Sequence, residues 1–338
     1  MKITANYSLR NLNTFGLDVN AAAYCEVSTE QEFQDLTKAT GWKNENKFVL
    51  GGGSNILFTT DLDAICIHNT IKGISLIKSD DESAWVRCGG GELWNDLVMY
   101  CVENNYGGIE NLSLIPGSAG AAPIQNIGAY GVELKETFFE LEALNLQTGE
   151  QKIFSSAECH FGYRDSIFKQ SLRNQYIITS ITLKLNKHPK FNTSYGAIEH
   201  ELKAMNVSSL SVKNISQAVI NIRRSKLPDP AVIGNCGSFF KNPEIAEEKF
   251  LEIKKYYPGL VGYHTTPGKM KLAAGWLIEQ CGWKGKQEGH VGMHAQQALV
   301  LVNYGGATGK ELITHAEKVQ RSVKEKFDVH LDMEVNVL

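Results

Sequence analysis

The spacing of apolar residues in the first third of the chain changes repeatedly between helical and strand periods. Residues 33–36 open an apolar pattern with helical steps, and the polar residues before them can cap a helix. The cap is either Ser28 with Gln31 or Thr29 with Glu32, since each pair has the spacing of a helix cap and its answering side chain. The pattern therefore predicts a helix that begins close to residue 30.

Two short apolar runs in the same region predict strands that lead directly into glycine turns. Residues 47–50 (KFVL) precede residues 51–55 (GGGSN), and residues 85–88 (WVRC) precede residues 89–91 (GGG). A helix is expected from Glu92 through about Asn104. The order strand, turn, helix is typical of α/β and α+β folds.

The last third of the chain predicts two further helices and a strand. Thr308 and Glu311 form a capping box, and the apolar positions of the helix that follows are Leu312, Ala316, Val319, Val323 and Phe327. Residues 270–278 (MKLAAGWLI) are typical of an apolar helix in a domain core. Residues 329–337 (VHLDMEVNV) alternate strictly and predict a strand with Glu334 on its polar face, towards solvent or a cleft.

Composition and charge exclude several classes of protein. The net charge is −3 and the basic residues are scattered, which argues against nucleic acid as the main partner. The first residues lack the apolar core of a signal peptide, and no apolar run is long enough to span a membrane, so we expect a soluble, cytoplasmic protein. The seven cysteines are far apart and include no C-x-x-C pair, which favours reduced thiols.

Residues 116–131 (PGSAGAAPIQNIGAYG) surround Gln125 and Asn126 with small residues. Small residues bury little apolar surface and glycine weakens helices and strands, so such a segment is typical of backbone that lies very close to a ligand. Glycine turns after strands can likewise direct several N–H groups at an anion. For residues 89–91, a tight turn without a ligand is an equally good interpretation.

The common phosphate and metal motifs are not matched. A Rossmann turn needs glycine at the sixth position, which is Ile56 or Trp94 here, and the Gly-Lys pairs are not followed by the Ser or Thr of a P-loop. His290 and His294 have helical spacing, but the glycines around them argue against a helix and no carboxylate lies between them. We therefore expect no metal site, and any dinucleotide must be held by another fold.

Six blocks in one order identify a resemblance. They are residues 13–16 (NTFG), 51–55, 116–131, 161–166 (FGYRDS), 237–243 (GSFFKNP) and 273–278 (AAGWLI). Together they resemble the UDP-N-acetylenolpyruvoylglucosamine reductase (MurB) family of peptidoglycan synthesis. The resemblance covers nearly the whole chain, and PIQNIGAYG and GYRDS are its most specific blocks.

The resemblance implies an α+β fold: an FAD-binding domain of the vanillyl-alcohol-oxidase (PCMH) type, built of two α/β subdomains, and a smaller α+β substrate domain. We expect the FAD-binding domain at residues 1–222, with subdomains at about 1–70 and 71–222. The substrate-binding domain is expected at 223–322, after a proline-rich junction at 226–230 (KLPDP). Residues 323–338 would return Glu334 to the active site.

The implied reaction reduces the enolpyruvyl ether of UDP-N-acetylglucosamine-enolpyruvate to a lactyl ether, with non-covalent FAD as cofactor and NADPH as hydride donor. Negative charge develops on the α-carbon and its carboxylate, so the site needs a fixed cation and an acid. The resemblance implies Arg164 as the cation, Ser238 as the proton donor and Glu334 as a catalytic carboxyl group. Without the resemblance, Arg164 would be interpreted as a surface partner of Asp165, Ser238 as a turn residue and Glu334 as a solvated strand residue.

The resemblance also implies two sets of binding residues. At FAD it places Gly51, Gly52, Gly53, Ser54, Asn55, Pro116, Gly117, Gly120, Gln125, Asn126, Gly128, Ala129 and Arg164. At the substrate it places Tyr130, Tyr195, Lys226, Asn242, Tyr263, Lys284 and Gln297. The chain departs from the family pattern at Asn336, where relatives carry arginine.

NADPH and the substrate are expected to use one cleft in turn, because the chain has no separate Rossmann motif. We expect a monomer without nucleic-acid or membrane partners. Two alternatives are a flavin oxidase acting on an alcohol and a flavin- or nucleotide-binding module without turnover. Arg164, Ser238 and Glu334 argue against the second, and the match at Ser238 and Glu334 argues against the first.

Overall fold

The computed structural model describes residues 2–338, which cluster into two compact units. Of the described residues, the first unit contains 2–7, Ala21–Gly53 and Asp63–Ser225, and the second contains Ser8–Asn20, Ser54–Leu62 and Lys226–Leu338. Each unit is therefore assembled from three stretches of sequence. The domain limits expected from the sequence stay a prediction.

Seven α-helices are distributed among runs of strands in the described residues, with short 3-10 turns such as Glu110–Leu112 and Ala119–Gln125. The α-helices are α1 (Glu30–Thr37), α2 (Trp94–Glu103), α3 (Gly196–Ala204), α4 (Val212–Lys226), α5 (Glu247–Tyr256), α6 (Ala274–Gln280) and α7 (Gly309–Phe327). The strands up to residue 186 are β1 (Thr4–Ser8), β2 (Asn20–Val27), β3 (Lys47–Leu50), β4 (Ile56–Leu57), β5 (Leu62–Asn69), β6 (Ile74–Ser79), β7 (Ser83–Gly89), β8 (Gly128–Ala129), β9 (Val132–Glu133), β10 (Phe138–Asn145), β11 (Gln151–Ser155) and β12 (Tyr176–Asn186). The later strands are β13 (Gly234–Ser238), β14 (Glu244–Ala246), β15 (Gly262–His264), β16 (Lys269–Leu272), β17 (Gln287–Glu288), β18 (Val291–Met293), β19 (Val300–Asn303) and β20 (Asn336–Val337).

The first unit is built on two sheets. One has the strand order β1-β2-β5-β3, with β3 and β5 parallel, and the other is antiparallel with the order β11-β10-β12-β7-β6. Strand β12 lies at the centre of the second sheet and is buried over almost its whole length. Aliphatic and aromatic side chains of α2, β7, β10 and β12 pack together into one core. This core fixes the positions of the turns that follow these strands.

The second unit contains smaller antiparallel sheets. One has the order β13-β19-β18-β17, and another has the order β14-β16-β15. Strands β4 and β20 form a parallel pair, which joins residues 56–57 to residues 336–337. Phe15, Phe58, Phe239 and Phe240 are fully buried in this unit, and the ring of Phe239 packs edge-on against those of Phe15 and Phe240.

The structure decides between the two predicted caps of α1. Thr29 is the cap residue, and its side chain and that of Glu32 complete a reciprocal capping box. The backbone N–H of Ser28 donates to the same Glu32 carboxylate at 2.8 Å. The box predicted at Thr308 and Glu311 is also confirmed at the start of α7.

The nine-residue strand predicted at 329–337 is wrong. Among these residues only Asn336 and Val337 form a strand, although Val329, Leu331 and Val335 are buried as the alternation predicts. The segment changes its partner part-way, pairing first with residues 239–241 and then with residues 55–57. Alternation predicts which side chains are buried, but a continuous ladder needs a single neighbouring strand.

The helix predicted at 270–278 is correct only in its second half. Met270 and Leu272 belong to β16, and α6 begins at Ala274. The two apolar residues flank Lys271, so the short run has strand spacing that the following helical residues conceal.

Two further findings concern the described chain as a whole. None of the helices in residues 2–338 combines the length and the apolar character needed to cross a bilayer. All seven cysteines are free thiols, and six of them are buried.

Candidate active site

Two glycine segments of the first unit lie directly against each other. A Cβ added to Gly51 would lie 2.2 Å from the Ser118 hydroxyl oxygen, and one added to Gly52 would lie 2.9 Å from the Cα of Gly117. Gly53 adopts a left-handed backbone with φ of 59°. The loop after β3 and the start of the 116–131 segment therefore form one surface made mainly of backbone, from which side chains are excluded by contact.

Glycines 89–91 are explained by contacts within the protein. A Cβ on Gly90 would lie 2.1 Å from the carbonyl oxygen of Ile178, and the N–H of Gly120 donates to the Gly90 carbonyl at 2.8 Å. Cβ atoms on Gly89 and Gly91 would likewise meet backbone within 2.6 Å. Close packing of chain on chain thus accounts for this turn without a ligand.

Asn126 has a structural position within the predicted cofactor segment. It is fully buried, has a left-handed backbone with φ of 43°, and uses its side chain in three hydrogen bonds. Its amide nitrogen donates to Gly162 O at 2.9 Å and to the Glu133 carboxylate at 3.1 Å, and its oxygen accepts from Lys135 N–H at 3.0 Å. Asn126 therefore ties the 116–131 segment to the loop that carries Arg164.

Arg164 is held in place by the predicted FAD segment itself. Its Nη2 donates to the carbonyl of Gly128 at 2.6 Å, and a Cβ on Gly128 would lie 3.0 Å from Nη1. The backbone of Arg164 is left-handed, with φ of 53°. These contacts fix a permanent cation beside the glycine-rich backbone, as an anion-stabilising role requires.

Tyr130 and Tyr195 form an aromatic pair in the same unit. Their ring centroids are 5.4 Å apart with an interplanar angle of 85°. Tyr130 is half-buried against α3 and α4, whereas Tyr195 is 47% exposed. The structure thus brings together two residues that were assigned to the substrate separately.

In the second unit, Ser238 lies at the end of β13, just after an irregularity in the strand. The pairing of β13 with β19 shifts register between Asn235 and Ser238, and Gly237 has φ of 74°. The side chain of Asn235 accepts the N–H of Gly237 at 3.0 Å and stabilises this bulge. A bulge of this kind re-aims the side chain that follows it.

Glu334 is placed beside the Ser238 segment by main-chain bonds. Its N–H donates to Phe239 O at 2.8 Å, and its carbonyl accepts from the Asn55 side chain at 3.4 Å. Burial, and next the Glu334 charge, raise the pKa of the Cys236 thiol. Ser238, Glu334 and Asn55 therefore come together within this unit.

Asn336 is the position at which the sequence analysis expects a departure from the family pattern. Its N–H and its side-chain amide both donate to the carbonyl of Asn55, each at 3.1 Å. The residue therefore holds the backbone that follows Glu334 against Asn55, within the second unit.

Three predicted substrate residues surround α6 of the second unit. Asn242 accepts the N–H of Ala274 at 3.0 Å, at the start of the helix. The Gln297 oxygen is the nearest atom that a Cβ on Gly275 would meet, at 3.1 Å. Lys284 pairs with Glu279 near the end of the helix, at 3.0 Å.

The remaining predicted residues are less constrained. Lys226 is the exposed last residue of α4, and Tyr263 on β15 is 56% exposed. Pro116 is exposed, whereas Ser54, Gln125 and Ala129 are partly buried. Their assignments stay predictions.

Comparison with known proteins identifies the family. Residues 229–338 match the family described as "UDP-N-acetylenolpyruvoylglucosamine reductase, C-terminal domain", and residues 21–155 match the "FAD binding domain" family. The UDP-N-acetylenolpyruvoylglucosamine reductase of Flavobacterium johnsoniae is 50% identical over 339 residues, with 100% of both chains covered. That of Amoebophilus asiaticus is 51% identical over 338 residues, again with 100% of both chains covered.

The chain belongs to the UDP-N-acetylenolpyruvoylglucosamine reductase family. Among solved structures, the MurB reductase from Thermus caldophilus shares the fold, with a TM-score of 0.68 and 23% identity over 99% of this chain and 98% of that one. The α+β fold class predicted from the sequence, with a PCMH-type FAD-binding domain, is confirmed.

Within the reductase family, the residues present here fit the FAD cofactor. The contacts of Gly51 and Gly52 with Ser118 and Gly117 are internal, like those of residues 89–91, but they join two glycine-rich segments into one surface made mainly of backbone. This surface lies in the part of the chain that matches the FAD-binding family. The fixed guanidinium of Arg164 lies on Gly128 of the same 116–131 segment and suits an anionic cofactor. Among the described residues, no group of three or more His, Cys, Asp or Glu side chains could hold a metal ion.

Arg223, on α4, lies beside predicted site residues of the reductase, and the sequence analysis did not single it out. Its Nε donates to Leu114 O at 3.2 Å, and its charge opposes the rise that burial causes in the pKa of Tyr130. Burial lowers the pKa of Arg223, and the nearby Arg164 charge lowers it further. The positive charges of Arg164 and Arg223 therefore lie close enough to influence each other. Arg223 stands beside Arg224 in a polar helical run, so the sequence gave no signal that singled it out.

Proposed function

We propose that the chain is an FAD- and NADPH-dependent UDP-N-acetylenolpyruvoylglucosamine reductase. It reduces UDP-N-acetylglucosamine-enolpyruvate to UDP-N-acetylmuramate for peptidoglycan synthesis. The observation that carries this proposal is the 50% identity over the full length of a curated reductase. When bound, FAD supplies hydride transfer between NADPH and the enol ether.

The protein's own residues would stabilise the charge that develops during the reduction. We assign Arg164 to the substrate carboxylate, because its guanidinium is fixed on Gly128 O and its charge is permanent. Each well-placed donor of this kind is worth about 3 kcal/mol of barrier. Tyr130, Tyr195, Lys226, Asn242, Tyr263, Lys284 and Gln297 would bind the nucleotide sugar.

Ser238 would donate a proton to the α-carbon. A serine hydroxyl is a weak acid, so it needs a polar neighbour to support the transfer. The bond between Glu334 N–H and Phe239 O holds the Glu334 segment next to Ser238, which supports a carboxyl group in that role. This pairing is the structural reason to assign Ser238 and Glu334 to one chemical step.

The binding arrangement and the setting of the enzyme are also part of the proposal. NADPH and the enolpyruvyl substrate would occupy one cleft in turn, with FAD bound non-covalently. The protein would act as a monomer in the cytoplasm. Residues 1–222 would form the FAD-binding domain and residues 223–322 the substrate domain, with residues 323–338 returning Glu334.

The visible spectrum of the purified protein tests this function. The protein should be yellow, should bleach when NADPH is added without oxygen, and should recover its colour when UDP-N-acetylglucosamine-enolpyruvate is then added. A colourless protein that binds no added FAD would contradict the flavoprotein assignment. Recovery with oxygen but not with the enolpyruvyl nucleotide would instead indicate an oxidase, and colour without bleaching would indicate a binding module.

A further inference from the structure

Residues 110–114 of the first unit form a turn with an unusual number of buried polar side chains. Glu110, Asn111 and Ser113 are 4%, 1% and 0% exposed, and Leu114 has a left-handed backbone with φ of 58°. Buried polar groups destabilise a fold unless each has a hydrogen-bond partner. The partners of this turn therefore indicate what it holds in place.

Asn111 joins two loops that carry predicted substrate residues. Its amide nitrogen donates to the carbonyl of Tyr130 at 3.0 Å and to the carbonyl of Asn192 at 2.9 Å. The Asn192 side chain returns a bond to Gly131 O at 3.0 Å. Tyr195 follows Asn192 by three residues, so one buried amide fixes the backbone next to both tyrosines.

These bonds control where the two rings meet. Tyr130 has a left-handed backbone with φ of 50°, and its ring packs on the apolar cluster formed by α3 and α4. Loss of the bond to the Tyr130 carbonyl would let this backbone leave its left-handed conformation and move the ring out of its edge-to-face contact with Tyr195, because such a conformation persists only where neighbouring contacts hold it.

The same turn also positions Arg223. Leu114 O accepts from the Arg223 Nε at 3.2 Å, and the hydroxyl of Ser113 bonds to that of Ser216 on α4 at 2.8 Å. The charge of the same Arg223 side chain acts on the Tyr130 hydroxyl and opposes the rise that burial causes in its pKa. The buried turn at residues 110–114 therefore holds both the backbone near Tyr130 and Tyr195 and the side chain of Arg223.

We propose that residues 110–114 are a positioning turn for nucleotide-sugar binding, and that Asn111 is its principal positioning residue. This inference rests on the proposed function and on the assignment of Tyr130 and Tyr195 to the substrate. Asn111 does not need to touch the substrate. It acts by holding the two tyrosines in one arrangement, which a rigid site requires for tight binding.

The principal test compares Asn111→Ala with Asn13→Ala. Asn13 is a matched control, since it is 6% exposed and its amide also donates to two carbonyls, those of Leu9 and Leu17. Calorimetric titration of the oxidised, FAD-loaded enzyme with UDP-N-acetylglucosamine-enolpyruvate measures Kd without turnover. We expect Kd to rise about tenfold in Asn111→Ala and to stay within about twofold of wild type in Asn13→Ala. The kcat of Asn111→Ala at saturating substrate should stay within about threefold.

Asn111→Asp supplies a test by conservative rescue. An ionised carboxylate cannot donate to either carbonyl, whereas its protonated form can donate to one of them. The KM of this variant for the enolpyruvyl substrate should therefore fall towards the wild-type value as the pH is lowered. A constant KM ratio to wild type across the pH range would overturn the proposal.

Two further results would decide the matter. If Asn111→Ala lowers the melting temperature as Asn13→Ala does and leaves Kd unchanged, the turn is merely structural and the inference is wrong. If Asn111→Ala does not fold, Asn192→Ala, which removes the bond to Gly131 and two bonds from the N–H and hydroxyl of Ser194, should still raise Kd. An unchanged Kd there would count against the proposal. Failure of the proposed function is separate, because wild-type enzyme would then show no turnover at all.

Discussion

Three of the predicted site residues adopt a backbone conformation that L-amino acids avoid. Asn126, Tyr130 and Arg164 have φ of 43°, 50° and 53°. Such a conformation costs about 1 kcal/mol or more for a residue with a Cβ, and it persists only where the surrounding contacts enforce it. Here those contacts are the hydrogen bonds that join the 116–131 segment to its neighbouring loops. The site is therefore shaped by backbone geometry as much as by side-chain identity.

Ser238→Ala should separate the two halves of the reaction. Bleaching of the flavin by NADPH should keep its rate, because no proton is delivered to the substrate in that step. Reoxidation by the enolpyruvyl substrate should slow by about 100-fold or more, since the proton donor is lost. Anaerobic stopped-flow absorbance measures both steps. Equal slowing of both would remove Ser238 from the proton-donor role.

The site residues named from the sequence stay predictions, but the structure shows contacts of their polar groups that the sequence did not predict. Sequence resemblance assigned Asn126 to FAD, whereas its side chain makes three bonds within the protein. Arg223 and Asn111 gave no sequence signal because their roles arise from partners far along the chain. A hydrogen bond between distant residues leaves no periodicity in either segment.

At the level of elements, the first residue of a helix shows how local propensity can be overridden. Gly309 and Gly196 are the first residues of α7 and α3. A Cβ on Gly309 would lie 1.8 Å from Phe58 O, whereas a Cβ on Gly196 would meet nothing within 4 Å. Close approach to backbone, and not helix formation, therefore requires the glycine at 309.

Alanine should have opposite effects at these two positions. Gly196→Ala should be neutral or should raise the free energy of unfolding by up to about 1 kcal/mol, because the unfolded chain loses freedom. Gly309→Ala should lower it by about 2 kcal/mol or more, since backbone must move to admit the methyl group. Urea unfolding measures both. Equal changes in the two variants would show that the contact with Phe58 is not tight.

His315 on α7 should make the stability of the protein depend on pH. The side chain is 1% exposed, packs edge-on against Trp283, and has its Nδ1 3.4 Å from the Glu288 carboxylate. Burial lowers the pKa of His315 below the ordinary value near 6.5, although Glu288 opposes the shift and Lys318 and Lys286 also face it. The unfolded chain therefore binds the proton more readily than the folded one.

The direction of the pH dependence follows from this difference in proton binding between the folded and unfolded states. Between the lowered folded pKa and the unfolded value of about 6.5, the unfolded state carries more protons, so the free energy of unfolding should fall as the pH drops below about 6.5. Urea unfolding from about pH 8 to about pH 5 should show a shallower fall for His315→Gln than for wild type. His330→Gln, at an exposed histidine, is the control and should keep the wild-type slope. An identical slope in His315→Gln would contradict the assignment.

Element prediction succeeded where a local signal decides the outcome. Both capping boxes, the strand at 47–50 and the strand around 85–88 needed only neighbouring residues. The error at 329–337 arose because the partner of a strand is set by tertiary structure. The error at 270–278 arose because a strand and a helix adjoin without a glycine or proline between them.

At the scale of the whole molecule, the proposed single cleft has a kinetic consequence. If NADPH and the enolpyruvyl nucleotide occupy it in turn, NADP must leave before the second ligand binds. Initial rates at several concentrations of each should give parallel lines in double-reciprocal plots. Intersecting lines would require both ligands to be bound together and would contradict the shared cleft.

The discontinuity of the two units could not be read from the sequence. Residues 8–20 and 54–62 belong to the second unit although they lie within the first third of the chain. These two segments belong to the second unit because of contacts that only the structure shows. The Asn303 side chain donates to Phe15 O at 2.9 Å, and β4 pairs with β20. Periodicity describes each segment but not the unit to which it belongs.

This interleaving sets a practical limit on dissecting the protein. A recombinant fragment cut at residue 226, or at the limits of the family match to 229–338, would lack two of the three segments of its own unit. Its end would have no β4 to pair with, and the backbone oxygen that holds Asn303 would be missing. A single protease cut at that point would leave residues 8–20 and 54–62 of the second unit on the N-terminal piece and the rest of the unit on the C-terminal piece. The two pieces should therefore stay associated until the protein is denatured.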